Sequence, residues 1–318
     1  MVQVVGHTGF IGRHLFRDLS VKGVAVAGVS RRTAAAANLA DNQSVGSNDL
    51  VSIEDGSFPI ASGARTLVFA AGLAHIQRLP DDQLSDYENI NSVLPVNYAL
   101  AAISAGVRRF IYLSSIGVCG DGSLKRYTAE SETLASDPYS RSKLLAELKL
   151  KELFASADAD LVIVRPPMVY GPQAPGNYSR LVSLVEKGFP LPFGALDNPR
   201  SFISIQNLVS FLVHCIDHPA ASGRTFVISD NDDTTTCDFV REIAKAQGHS
   251  VKLLPVPRWL FVAGLTLLGK GKAARKLSAP LTVDCSYAMK TLDWRPPYSL
   301  REGLRMSFEK DYTYVSID

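Results

Sequence analysis

The sequence predicts an α/β fold, a doubly wound parallel sheet with a smaller C-terminal α/β subdomain. Three observations carry this expectation. Short apolar runs recur along the first two thirds of the chain, among them VQVV, VAVAGV, TLVFAA, FIYL and LVIVR, each bounded by glycine, proline or polar residues. Segments of helical periodicity alternate with them, the signature of β–α–β crossovers. The first run ends in Gly6, Gly9 and Gly12, and an amphipathic segment with Leu15, Phe16 and Leu19 follows at once. Glycines there allow a tight turn and a close backbone approach. The new helix offers free N–H groups and a positive dipole end to an anion, so the turn suits a phosphate as well as an ordinary strand-to-helix joint.

Bulk properties exclude several classes. The chain has 318 residues, enough for one large or two modest domains, and 46% hydrophobic with 20% charged residues fits a soluble globular enzyme. A formal net charge of +2 gives no case for nucleic acid as a partner. Cys119, Cys215, Cys237 and Cys285 are scattered with no CxxC pair, so neither a metal site nor a disulfide framework is expected. No apolar run reaches the ~18 residues of a membrane span. The chain begins directly with a core strand, so a cytoplasmic location without a signal peptide is expected.

Along the chain, Val24–Val29 reads as the second strand, ending in Ser30, Arg31 and Arg32. In a dinucleotide-binding fold an arginine at this place accommodates a 2′-phosphate, which favours NADP over NAD; a solvated surface pair is the alternative. Thr33–Ala40 is an alanine-rich helix, and Val51–Ile53 is the expected third strand. Thr66–Ala71 is a buried strand. Its small edge residues Ala70, Ala71 and Gly72 suit a flat ring in the crevice. His75 follows, as a surface residue or a substrate contact. Tyr87–Ala105 reads as a long helix holding Asn91 and Asn97, with a kink or a broken first turn expected at Pro95.

Phe110–Ser115 is the next strand. Ser114 and Ser115 either point into the crevice or cap the next segment. A long polar loop, 121–138, leads to a helix opened by Asp137-Pro138. Tyr139 and Lys143 are four apart on that helix and share a face. An ammonium beside a phenol would favour the phenolate and lower the tyrosine pKa toward a usable acid/base. Leu161–Arg165 is a strand closed by Pro166. Asn177–Lys187 (helix), Ser201–Ile205 (strand), Gln206–His218 (helix), Thr225–Ser229 (strand), Thr236–Gln247 (helix) and Val251–Val256 (strand) come next. Trp259–Leu268 is apolar nearly all round, with Lys270, Lys272, Arg275 and Lys276 behind it. It reads either as an interfacial helix with basic anchors or as a buried or groove-lining helix. The second is favoured, so membrane contact is not expected.

GHTGFIG, the YLSS strand end and YSRSK stand in one order, joined by RPPMVYGP, RSFISIQNL and LDWRPPYSLREGL. Together they resemble the extended short-chain dehydrogenase/reductase family in its NAD-dependent epimerase/dehydratase branch, near the 4-epimerase-like subgroup that includes N-acetylquinovosamine-pathway enzymes. The resemblance covers nearly the whole chain. It implies a Rossmann domain over 1–170, with 201–229 returning to it, and a substrate-binding subdomain over 171–200 and 230–318. It implies Tyr139 as catalytic acid/base, Lys143 on the nicotinamide ribose and Ser115 on the reacting C4 oxygen. Gly6, Thr8, Gly9, Phe10, Ile11 and Gly12 would sit around the pyrophosphate. Ser30, Arg31, Arg32, Ala70, Ala71, Gly72, Asn91, Ser114 and Pro166 would complete the NADP or NAD site. Asn177 and Arg200 match positions that bind a sugar nucleotide's diphosphate, with His75 a further substrate candidate. A homodimer through two helices of the Rossmann half is implied.

The sequence departs from the family pattern at Cys119, where a tyrosine is usual, and at Ser201, where an aspartate is usual. The reaction expected is hydride transfer at C4 of a UDP-hexose, as a 4-epimerase. The alternatives are an NADPH-dependent 4-keto reductase and a non-catalytic NADP-binding sensor. Ile116 and Gly117 stand where a dehydratase usually carries an Asp-Glu pair.

Overall fold

The computed structural model describes residues 1–30, 51–52, 57–74 and 87–309. Arg31, Arg32, His75, the expected Thr33–Ala40 helix and Ile53 lie outside them. The strands are β1 (Val2–Val5), β2 (Val26–Ser30), β3 (Val51–Ser52), β4 (Thr66–Phe69), β5 (Arg109–Leu113), β6 (Asp160–Arg165), β7 (Met168–Tyr170), β8 (Pro199–Arg200), β9 (Phe202–Ser204), β10 (Thr225–Val227) and β11 (Thr234–Thr235). Seven of them form one sheet in the order β10-β6-β5-β4-β1-β2-β3, with every pairing parallel. The chain winds outward from β1 in one direction, then restarts at β4 and winds the other way. The crevice between the ends of β1 and β4 is therefore the switch point of the sheet, where such folds bind ligands.

Apolar runs without alternation form these strands because both faces are covered. Val4, Val5, Leu67, Val68, Phe69, Ile111 and Tyr112 are all fully buried. On one face α1 (Phe10–Val21) brings Leu15 and Leu19 against Val4 and Val68. On the other, α2 (Leu94–Ser104) and α3 (Pro138–Phe154) bring Tyr98, Ala146 and Leu150 against Phe69 and Tyr112. The remaining helices are α4 (Asn177–Glu186), α5 (Ile205–Asp217), α6 (Thr236–Ala246), α7 (Arg258–Leu267), α8 (Gly271–Ser278), α9 (Ser286–Leu292) and α10 (Leu300–Met306). Of these, α5 packs beside α1 through Leu208 and Phe211. A second core joins Tyr170, Tyr178, Phe202, Phe239 and Phe261. Phe202 and Phe239 stack there at 3.8 Å between centroids.

Two expectations change and a third is sharpened. The run TLVFAA ends as strand at Phe69 and FIYLSS at Leu113, so Ala70, Ala71, Ser114 and Ser115 lie just beyond the strand ends. Val251–Val256 makes only an isolated bridge, Leu191 to Leu253, because Pro255 within it lacks a donor. The Tyr87–Ala105 helix is interrupted at Pro95 as a broken turn and not a kink, and the break takes the form of a π-helical turn, Asn89–Val93. There Leu94 N donates to Asn89 O, five residues back. Pro95 has no N–H to give the Asn91 carbonyl, which accepts instead from Tyr112 Oη at 3.0 Å.

Helix α7 is also not buried as favoured. Only Phe261 in it is buried, while Trp259 is 72% and Leu267 89% exposed. Among the described residues no helix is long and apolar enough to cross a membrane.

Candidate active site

The turn after β1 is shaped by contacts no side chain could share. Gly6 has φ +88°, and a Cβ there would lie 2.7 Å from Ala71 N. A Cβ on Gly12 would lie 2.1 Å from Gly6 O, so the turn folds back directly onto α1. Gly28 in β2 serves the same turn, because a Cβ on it would meet the His7 ring at 2.6 Å. Gly9 caps α1 without a side-chain hydrogen bond, and the first turn holds no acidic residue. The helix thus opens with free N–H groups at the switch point, beside exposed Thr8 and partly exposed Phe10 and Ile11. This bare cradle fits a dinucleotide diphosphate. Ser30 closes β2 and is buried.

Asp137 caps α3, its carboxylate accepting from Ser140 N at 2.8 Å, and Pro138 fills the first turn where no N–H is needed. The helix begins at a fixed angle and presents Tyr139 and Lys143 toward the end of β5. The Tyr139 phenol faces the Ser115 side chain, which favours its ionised form. Ser115 Oγ accepts from Gly117 N at 3.1 Å, which orients the hydroxyl. Lys143 Nζ donates to Leu113 O at 2.8 Å and lies 4.9 Å from the Tyr112 ring centroid. A Cβ on Gly72 would come within 3.2 Å of that ammonium, so the segment after β4 and helix α3 meet there.

Burial decides the protonation of both groups. Tyr139 is pushed up to about 12 by desolvation; the Ser115 side chain opposes this, and the charges of Asp137 and Tyr87 add to it. Lys143 is pushed down to about 7 by desolvation, with Glu147 opposing. The sequence expectation that Lys143 lowers Tyr139 is not met in this arrangement. The ammonium is turned onto Leu113 O, and loss of water outweighs the attractive contacts of the phenol.

A profile of the NAD dependent epimerase/dehydratase family matches residues 2–229. The chain belongs to this family. It is 37% identical to a UDP-glucose 4-epimerase of Vibrio cholerae over 96% of this chain and 94% of that protein. A 4-epimerase of Escherichia coli O157:H7, named for N-acetylglucosaminyl-diphospho-undecaprenol, is 24% identical over 73% of this chain and 74% of its own length. Among solved structures, a UDP-glucuronic acid 4-epimerase of Bacillus cereus, in complex with UDP-glucuronic acid and NAD, superposes with TM-score 0.75 at 19% identity. That match covers 96% of this chain and 97% of the other. The fold is that of the NAD-dependent short-chain dehydrogenase/reductase enzymes.

The epimerase/dehydratase frame is braced by residues whose importance the sequence reading only half anticipated. Asn91 is fully buried and spends its amide on the protein: Oδ1 accepts from Leu73 N at 2.8 Å, and Nδ2 donates to Leu73 O at 3.0 Å and Ser142 Oγ at 3.1 Å. It therefore positions the Gly72–Leu73 segment against α3. Arg165 and Glu147 form a buried bidentate pair at 2.9 and 2.5 Å, with Cys119 Sγ 3.6 Å from Arg165 Nη1. Sequence reasoning missed this pair, although Glu147 stands one helical turn after Lys143. Pro166 is buried and its carbonyl accepts from Ile116 N, fixing the loop behind Ser115. Ser114 Oγ is buried and has no partner among the described residues.

The substrate-side expectations are less convergent. Asn177 opens α4, exposed, and accepts from Arg180 Nη1 at 3.2 Å. Arg200 Nη1 is spent on the carbonyls of Lys276 and Ala279, at 2.8 and 3.0 Å. Burial draws Arg200 down to about 10, with Asp121 opposing. Ser201, in the usual aspartate position, donates to Asp233 Oδ1 and accepts from Val283 N at 2.9 Å. It thus ties the loop after β10 to the segment leading into α9.

Proposed function

We propose that this enzyme is a nucleotide-sugar 4-epimerase acting on a UDP-linked hexose. The observation that carries the reading is the grouping of Ser115, Tyr139 and buried Lys143 at the end of β5, next to the sheet's switch point. Once Lys143 turns from Leu113 O toward it, Tyr139 ionises, takes the proton of the C4 hydroxyl as phenolate and returns it to the 4-keto oxygen. Ser115 donates to that oxygen while its charge changes. Lys143, released from Leu113 O, holds the ribose next to the reacting carbon. A dinucleotide held by its diphosphate in the glycine cradle would supply hydride acceptance and return from its nicotinamide. Between the two half-reactions the 4-keto sugar must present its other face, which asks for a pocket that grips the diphosphate more firmly than the hexose. Nucleotide and polyprenyl carriers both offer a diphosphate. The similarity to the Vibrio protein over nearly the full chain favours UDP.

Arg31 and Arg32 favour NADP by their position in the sequence, and a cofactor spent each turnover belongs to a 4-keto reductase. The pair forms the one specific argument for that second reading. The homodimer expected from the family would use α2 and α3, which expose Leu100 and Leu148.

The test combines cofactor extraction with turnover of a UDP-hexose panel followed by NMR. Epimerisation with catalytic NAD is the expected result. Stoichiometric NADPH loss on a 4-keto sugar would replace the proposal with the reductase. Tyr139→Phe should lower kcat by about 10²–10⁴-fold with cofactor content unchanged. Cofactor binding without turnover in both wild type and variant would leave a sensor.

A further inference from the structure

Helix α7 has two apolar faces. One meets the second core, with Phe261 buried and Val262 and Leu265 packed beside it. The other carries Trp259, Leu260, Leu267 and Leu268, which are 72, 47, 89 and 71% exposed. Positions 259, 263 and 267 repeat every four residues, as do 260, 264 and 268, so they form one stripe. Ala263 and Gly264 keep it free of polar groups. At ten residues the helix is about half the length of a span, so this face has no route through a bilayer.

Charge says what covers the stripe. No aspartate or glutamate occurs between Glu242 and Asp284. Arg258 at the start of α7, and Lys270, Lys272 and Arg275 after it, are all exposed. Large apolar side chains ringed by cations are the pattern of an interfacial anchor, and anionic headgroups complement it. A second copy of this chain fits worse, because an isologous contact would set one basic rim against the other. We propose that α7 and the turn into α8 dock this enzyme on an anionic bilayer surface. The docked pair adjoins the site. Lys276 of α8 pairs with Asp137, the cap of the catalytic helix, at 3.0 Å, and α8 ends on Arg200. The proposal stands independently of which sugar is turned over.

The test uses the full chain and vesicles of phosphatidylglycerol, with phosphatidylcholine vesicles as comparison. The chain has two tryptophans, and Trp294 is buried, so Trp259 reports the contact. Wild type should co-sediment with the anionic vesicles only, with blue-shifted emission quenched by brominated acyl chains. Leu267→Glu/Leu268→Glu should abolish binding while UDP-hexose turnover persists. Lys270→Gln/Lys272→Gln should weaken it about 25-fold, at roughly fivefold per charge. Absence of wild-type binding, or undiminished binding of the leucine variant, overturns the proposal. So does a wild-type oligomer that the leucine variant dissolves without any vesicle binding. Loss of turnover with vesicle binding intact would count against the reaction alone.

Discussion

Lys143 holds its ammonium against a carbonyl oxygen and an aromatic face, almost out of reach of water. Its folded pKa of about 7 lies below the value of 10.5 expected in the unfolded chain. Between those values the unfolded chain holds a proton that the folded one does not, so stability rises with pH. Tyr139 acts in the opposite sense: its folded value, about 12, exceeds 10.0, so its contribution is full below 10.0 and lost above it. The urea midpoint of the ligand-free protein should therefore climb from about pH 7 to about pH 9, within the Lys143 window. Lys143→Met should flatten that climb. A midpoint profile that the substitution leaves unchanged would refute the assignment. The Tyr139–Lys143 pairing was readable from helical spacing. The direction of its pKa shifts was not, since it depends on Leu113 O and on burial by another strand.

At the scale of elements, α3 depends on its cap. Asp137 satisfies Ser140 N and also pairs with Lys276. Asp137→Ala should cost about 1 kcal/mol in urea unfolding, whereas Asp137→Asn should keep the cap and lose only the ion pair. Equal losses for the two variants would place the stabilisation in the ion pair instead. This cap was legible, because aspartate followed by proline announces a helix start whatever surrounds it. The π turn before α2 was not. Its stability rests on Tyr112 reaching the Asn91 carbonyl from β5, and no local window contains both residues. Helix α7 was legible as an apolar helix, but not its exposure. Periodicity cannot assign a side when every side is apolar.

For the whole molecule, the chain passes more than once between the sheet and the second core: β6 runs into β7, and β9 and α5 lead back to β10 at the sheet edge. Phe239 is nearly fully buried and stacked on Phe202, which precedes that return. Phe239→Ala should cost about 3–5 kcal/mol. With the chain interleaved in this way, unfolding should remain one transition by both far-UV circular dichroism and tryptophan fluorescence. Two separated transitions would mean that the second core melts alone. The return of 201–229 to the sheet came from the family resemblance alone, since the run TFV is too short to announce by itself a place at the sheet edge.

The His7 ring resting where a Cβ of Gly28 would lie ties two positions in different strand–turn units. Volume at one is borrowed from the other. As related chains diverge, a side chain can arise at 28 only after the side chain at 7 shrinks or turns aside, or together with that change. With the His7 ring in this rotamer there is no room for a side chain at 28. The space under one imidazole thus couples the two positions at this corner of the cradle.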